Sequence, residues 1–119
     1  MKHNTIVFWN LLDRLVDEHH IVIDRPSGTL HPQYLDYIYP LDYGYLEGTV
    51  SSDCKGIDIW VGTDNNKCVT AIIASIDILK SDSEIKILYG CSNDEVDLIF
   101  LQHNRNDNMK GLLVKRYEI

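Results

Sequence analysis

The sequence predicts a β-dominant α+β protein whose short strands form a small closed or nearly closed barrel. Apolar residues make up 45% of the 119 residues, but they occur in short bursts separated by charged or turn-forming residues. Two amphipathic segments, one at the start and one late in the chain, predict helices. Closure is expected because it leaves no exposed strand edge. A chain of this length is expected to form a single domain over residues 1–119.

The two predicted helices carry apolar side chains at intervals of three and four residues. The first is expected over residues 4–20 and the second over residues 92–104. The expected N-caps are polar residues at each start: Asn4 or Thr5, and Ser92 or Asn93. The side chains expected to face the core are Phe8, Leu11, Leu12, Leu15 and Val16 in the first helix and Val96, Ile99 and Phe100 in the second. His103 is expected to be solvated.

Five strands are predicted from β-branched runs that end at turn residues. They are residues 21–24, 56–62, 69–79, 84–89 and 111–116. A tyrosine-rich segment, residues 31–45, lies between the first two strands. Pro32 and Pro40 prevent a continuous helix in this segment, so we expect short strands and turns there.

Charge and cysteine usage narrow the classes of function. Eleven basic and eighteen acidic residues give a net charge of −7, which argues against nucleic acid or an anionic membrane surface as the main partner. No apolar run approaches the roughly 20 residues that cross a bilayer. Cys54, Cys68 and Cys91 are far apart, so free thiols in a cytoplasmic protein are expected. An acidic chain can still bind phosphate through metal ions where its carboxylates gather.

The densest polar motif is YPLDYGY at residues 39–45, followed by DCKGID at residues 53–58. Strand alternation would place the Asp58 side chain opposite the apolar side chains of its strand. A carboxylate on a barrel wall needs a partner, and a hard cation such as Mg²⁺ is one candidate. The alternative is that Asp53 and Asp58 pair with Lys55 or cap the turn backbone. The residues alone favour this alternative.

The spacing of these motifs resembles the signature of the family I inorganic pyrophosphatases. The family has a Y-P-x-x-Y-G segment followed by three aspartates, matched by Tyr43, by Asp53 ten residues later and by Asp58 after five more. Three further segments are similar to the family's first strand, second acidic cluster and closing helix and strand: residues 21–29, 77–87 and 95–116. The resemblance covers nearly the whole chain after the first helix. It implies an OB-like five-stranded β-barrel with an N-terminal helix and a C-terminal helix.

The resemblance also implies site residues and a cofactor. In that family, magnesium ions held by carboxylates bind pyrophosphate and activate a water molecule, and Mn²⁺ is an expected substitute. The implied metal ligands are Asp24, Asp53, Asp58, Asp82 and Glu84. The implied phosphate-binding residues are Lys86, Arg105 and His31. The implied catalytic residues are Tyr43, Asp53, Asp58 and Lys55.

Three positions depart from the family pattern. Lys55 stands at the middle signature aspartate, His31 at a phosphate-binding arginine, and Asn104 at a phosphate-contacting tyrosine. The Lys55 ammonium would repel a unit positive charge, such as part of the charge of a bound metal ion, by roughly 4 kcal/mol at a distance of about 4 Å. The departures leave two hypotheses open. One is metal-dependent hydrolysis of pyrophosphate or a related phosphoanhydride, and the other is a catalytically impaired barrel that binds a phosphorylated ligand or a protein partner.

Two further expectations complete the sequence analysis. A nucleic-acid-binding barrel is a third alternative, because OB-like folds present aromatic side chains to single strands, but the net charge of −7 opposes it. Members of the resembled family commonly associate, so the resemblance also implies a homo-oligomer.

Overall fold

A computed structural model describes residues 2–117, and its centre is a six-stranded sheet. The strands are β1 (Ile21–Arg25), β2 (Asp42–Leu46), β3 (Ile57–Val61), β4 (Val69–Asp77), β5 (Asp82–Tyr89) and β6 (Met109–Lys115). Their order across the sheet is β1-β2-β3-β5-β4-β6. The β3–β5 pair is parallel, and the other neighbouring pairs are antiparallel.

The sheet is open, so the predicted barrel does not close. Within residues 2–117, β1 and β6 are the two edges, and no strand pairing joins them. The β1 edge is protected from pairing with other strands because β1 is only five residues long and a register shift between Ile23 and Arg25 interrupts its pairing with β2. The arrangement of the strands remains consistent with an OB-like fold.

The sheet has six strands where five were predicted. The additional strand is β2, which begins in the tyrosine-rich segment, where short strands were expected, and ends one residue beyond it. Gly44 lets β2 approach β1 closely, because a Cβ atom at this position would lie 1.8 Å from the carbonyl oxygen of Val22. The glycine is therefore required for the pairing of the first two strands.

Helix α1 (Lys2–Asp17) covers one face of the sheet. Trp9 and Val16 are buried in a cluster with side chains from β3, β4 and β5. Phe8 and Leu11, which were expected in the core, are 41% and 54% exposed. The side of α1 that faces the core therefore includes Trp9 and Val16 but not Phe8 and Leu11, so it is rotated slightly from the predicted side.

Helix α2 (Asn93–Gln102) covers the opposite face, where its side chains join a cluster around Trp60. The Ser92 side chain accepts a hydrogen bond from the Glu95 backbone N–H at 3.2 Å, and the Glu95 carboxylate accepts one from the Ser92 N–H at 2.9 Å. This reciprocal cap confirms Ser92 as the N-cap. The N-cap predicted for the first helix is wrong, because α1 begins before Asn4. Neither helix in the described residues combines the length and the hydrophobicity of a membrane span.

Candidate functional site

Four polar side chains from three neighbouring strands meet on the face of the sheet that α2 also covers. We call them the Lys86 cluster: Tyr43 of β2, Asp58 of β3, and Glu84 and Lys86 of β5. The Lys86 Nζ donates hydrogen bonds to Glu84 Oε2 at 2.8 Å, to the Tyr43 hydroxyl at 3.3 Å, and to Asp58 Oδ2. Glu84 and Lys86 are two residues apart on one strand, so their side chains point to the same face.

The register of the sheet brings the cluster together. In the β2–β3 pair, Tyr43 lies opposite Trp60, and Asp58 is two residues earlier on the same face of β3. The parallel β3–β5 pair then sets Trp60 opposite Leu88, two residues beyond Lys86. Tyr43 is therefore in the same row of side chains as Trp60 and Leu88, Asp58 and Lys86 follow in the next row, and Glu84 lies one row beyond them.

Burial and charge control the protonation of the cluster. The Lys86 and Glu84 side chains are only 12% and 7% exposed. Burial disfavours the Lys86 ammonium, but Tyr43 and the carboxylates of Asp58 and Glu84 outweigh burial and raise its pKa. Burial also raises the pKa of Tyr43, which keeps the hydroxyl neutral at ordinary pH. Lys86 therefore stays positively charged.

The two carboxyl groups are shifted in opposite directions. Burial raises the pKa of Asp58 above its usual range. Burial acts in the same direction on Glu84, but the hydrogen bond from the Lys86 ammonium outweighs it and lowers the pKa of Glu84. With both carboxylates ionised and Lys86 charged, the cluster carries a net charge of −1. Asp58 is thus the carboxylate that accepts a proton more readily.

The cluster does not fit a resident divalent metal ion. Among residues 2–117, no three side chains of histidine, cysteine, aspartate or glutamate are grouped so that they could hold a metal. Asp58 and Glu84 do converge, but the Lys86 ammonium lies between them and is bonded to both. The carboxylate oxygens that Mg²⁺ would need as ligands are therefore already bonded to a cationic side chain of the protein.

Asp53 and Lys55 lie in the turn that precedes β3. Asp53 Oδ1 accepts hydrogen bonds from the Ser51 hydroxyl at 2.6 Å and from the Lys55 backbone N–H at 2.9 Å. These two bonds lower the pKa of Asp53. The carboxylate thus caps the turn, which is the arrangement that the sequence offered as the alternative to metal binding. The Lys55 residue is exposed.

Two more predicted metal ligands lie at other places on the sheet. Asp24 is an exposed residue of β1, at the register shift opposite β2. Asp82 begins β5 and pairs in register with Asp77 of β4. Asp82 therefore lies at the opposite end of β5 from the core, four positions before Lys86.

The predicted phosphate-binding residues His31 and Arg105 contact aromatic rings. The Arg105 guanidinium carbon lies 5.2 Å from the centre of the Tyr37 ring. His31 stacks on Tyr39 with a centroid separation of 5.9 Å. Its Nδ1 atom accepts hydrogen bonds from the backbone of Gln33 and Tyr34 at 3.0 and 3.2 Å. Burial, followed by Arg25 and Lys80, lowers the pKa of His31, so the ring is neutral at pH 7.

A row of aromatic rings connects these residues to the Lys86 cluster. Tyr39 stacks on Tyr43 at 5.8 Å, and the Tyr43 ring lies 4.4 Å from Trp60. The Trp60 Nε1 donates a hydrogen bond to His103 Nε2 at 3.0 Å. His103 is buried, so the expectation that it is solvated is wrong. Strand alternation at residues 58–60 predicted which face of the sheet the Trp60 side chain lies on. No feature of the sequence indicated that His103 is its hydrogen-bond partner.

Comparison with known proteins gives matches at the level of structure. No protein-family model matches the chain, and no curated protein matches it by sequence. The fold is similar to that of an inorganic phosphatase from Anaplasma phagocytophilum, with a TM-score of 0.54 and 12% identity over 80% of this chain and 81% of that chain. The chain has a pyrophosphatase-like fold.

Two further solved structures support this result. The inorganic pyrophosphatase from Helicobacter pylori matches with a TM-score of 0.52 and 16% identity over 80% of this chain and 81% of its own. The inorganic pyrophosphatase from Neisseria gonorrhoeae matches with a TM-score of 0.52 and 15% identity over 82% of this chain and 75% of its own. At these identities the similarity shows the fold alone.

Proposed function

We propose that the chain is a divergent member of the inorganic pyrophosphatases and hydrolyses pyrophosphate or a related phosphoanhydride at the Lys86 cluster. One observation carries the proposal. Residues that the sequence assigned separately to catalysis, metal binding and phosphate binding converge from three strands: Tyr43, Asp58, Glu84 and Lys86. The pyrophosphatase-like fold supports the same reaction class.

The charge of the cluster indicates the form in which the substrate arrives. With both of its carboxylates ionised, the site has a net charge of −1 and repels free pyrophosphate, which is strongly anionic at neutral pH. Mg²⁺ is commonly held by one or two carboxylates together with the phosphates of a substrate. We therefore propose that Mg²⁺ or Mn²⁺ enters as part of a metal–pyrophosphate complex rather than as a resident cofactor.

The protein side chains take distinct parts in the proposed reaction. Water attacks one phosphorus atom, the bridging P–O bond breaks, and two orthophosphate ions leave. Asp58 accepts the proton of the attacking water, since burial raises its pKa towards that of a useful base. Lys86 exchanges its longest hydrogen bond, the 3.3 Å contact with Tyr43, for a phosphate oxygen. Arg105 provides a second positive charge at the far end of the aromatic row.

Phosphate release from pyrophosphate in the presence of Mg²⁺ tests the proposal. Asp58→Asn removes the base and one carboxylate charge while preserving the shape of the side chain, and we expect turnover to fall by about 100-fold or more. Asp107→Asn is the matched control, because that side chain is fully exposed. Wild-type protein that is folded but releases no phosphate would contradict the hydrolase proposal.

Binding without turnover is the second candidate function. It is favoured by the absence of a grouped metal-binding set within residues 2–117 and by the ammonium between Asp58 and Glu84. In that case, magnesium pyrophosphate would raise the melting temperature of the wild type without phosphate release. Lys55→Asp restores the carboxylate of the resembled family. Phosphate release by this variant but not by the wild type would indicate that the wild-type site has lost hydrolytic activity.

We also propose a cytoplasmic homo-oligomer. Cys54, Cys68 and Cys91 are free thiols in the structure, which supports a reducing compartment. Exposed apolar side chains of α1, among them Ile6 and Leu11, support association with another copy.

A further inference from the structure

Lys86 occupies the place at which the resemblance to the pyrophosphatases implied a metal ion. Its ammonium is bonded to Glu84 at 2.8 Å and to Asp58, and these two carboxylates belong to different strands. Lys86 is itself a residue of β5, two positions from Glu84, so the two side chains leave the strand on the same face.

The hydrogen bonding of this ammonium is complete. A lysine ammonium has three donors, and Lys86 directs one to each of Glu84, Tyr43 and Asp58. Two partly buried carboxylates at such close range repel each other strongly unless a cation separates them. A single side chain therefore provides both the charge and the geometry that a cation between β3 and β5 must provide.

We infer that Lys86 is the resident cation of this cluster and takes the place of a divalent metal ion. The folded protein keeps Asp58 and Glu84 together without bound metal, and added divalent ions find no free carboxylate pair. The inference is independent of the proposed hydrolysis, because it concerns the protein without substrate.

The test measures binding of Mn²⁺ alone, by calorimetry and by the melting temperature, in the absence of pyrophosphate. Lys86→Met keeps most of the length of the side chain and removes its charge. We expect the variant to melt at a lower temperature than the wild type and to regain stability when Mn²⁺ is added. Its affinity for Mn²⁺ should exceed that of the wild type by about tenfold or more. Lys80→Met, at an exposed lysine of the turn before β5, is the control and should behave as the wild type does.

A double variant covers the case in which Lys86→Met does not fold without metal. Lys86→Met with Glu84→Gln removes one of the two repelling charges, so it should fold and bind Mn²⁺ no more tightly than the wild type. Recovery of the folded single variant by refolding with Mn²⁺ would support the inference. Tight Mn²⁺ binding by the wild type, or a single variant that gains no affinity or stability from Mn²⁺, would overturn it.

Discussion

Acidification should destabilise the fold through His103. The residue is 7% exposed, and its Nε2 atom accepts the hydrogen bond from Trp60, which requires the neutral ring. Burial, with a smaller effect from the charge of Lys86, lowers its pKa from 6.5 to about 4. Protonation in the folded state would place a charge among buried rings and remove the acceptor of the Trp60 bond.

The size of the effect follows from the two pKa values. Unfolding returns His103 to a pKa of 6.5, so between pH 6.5 and about pH 4 the unfolded chain binds more protons at this site. The contribution of neutral His103 to the free energy of unfolding is therefore complete above pH 6.5 and is lost as the pH falls. Each pKa unit corresponds to about 1.36 kcal/mol, so the largest loss of unfolding free energy, reached below both pKa values, is about 3 kcal/mol. About 1 kcal/mol of it is lost by pH 5.5.

Urea unfolding followed by tryptophan fluorescence between pH 7.5 and 4.5 measures this loss. His103→Gln keeps an acceptor for Trp60 but does not titrate, so its free energy of unfolding should fall less steeply with acid. Between pH 7.5 and 5.5, the free energy of unfolding of the wild type should fall by about 1 kcal/mol more than that of His103→Gln. His20→Gln, at an exposed position, should keep the wild-type pH dependence. Equal pH dependence in the wild type and His103→Gln would refute the reasoning.

Two further predictions concern the elements that support the site, and both are measured by urea unfolding. Gly44→Ala places a methyl group against the carbonyl oxygen of Val22, so β1 must separate from β2, and we expect a loss of about 3 kcal/mol. Unchanged stability would show that the two strands do not approach as closely as described. Ser92→Ala removes the acceptor for the Glu95 backbone N–H and should cost about 1 kcal/mol. Ser52→Ala, in an exposed turn, is the control for Ser92→Ala, and an equal loss in both would contradict the capping role.

The local pattern of the sequence predicted most of the elements but not the closure of the sheet. Both helices and five of the strands lie close to the predicted positions. Short strands were expected in the tyrosine-rich segment, but the bounds of β2 were not predicted, because Pro40 and the neighbouring tyrosines are equally typical of turns. Closure depends on whether the first and last strands pair, and the local sequence of either strand contains no information about such a long-range contact. The spacing in the first helix was nearly correct, but Trp9 rather than Phe8 faces the core.

The candidate site was predictable only where it follows from alternation within one strand. That rule places Asp58 on the face of Trp60, and Glu84 on the face of Lys86. The contact between these two pairs depends on the parallel β3–β5 register, which the sequence does not contain. The resemblance to pyrophosphatases brought Asp58, Glu84 and Lys86 into one site, but it implied that a metal would join them. The burial of His103 was missed because its partner Trp60 is 43 residues away in the sequence.

The most direct test of the central claim follows the ³¹P resonances of magnesium pyrophosphate mixed with the protein. The account predicts that the wild type converts the pyrophosphate resonance into that of orthophosphate. It predicts that Asp58→Asn leaves the pyrophosphate resonance largely unconverted over the same time. A pyrophosphate resonance that the folded wild type neither converts nor broadens would contradict the assignment of the Lys86 cluster as a phosphoanhydride site.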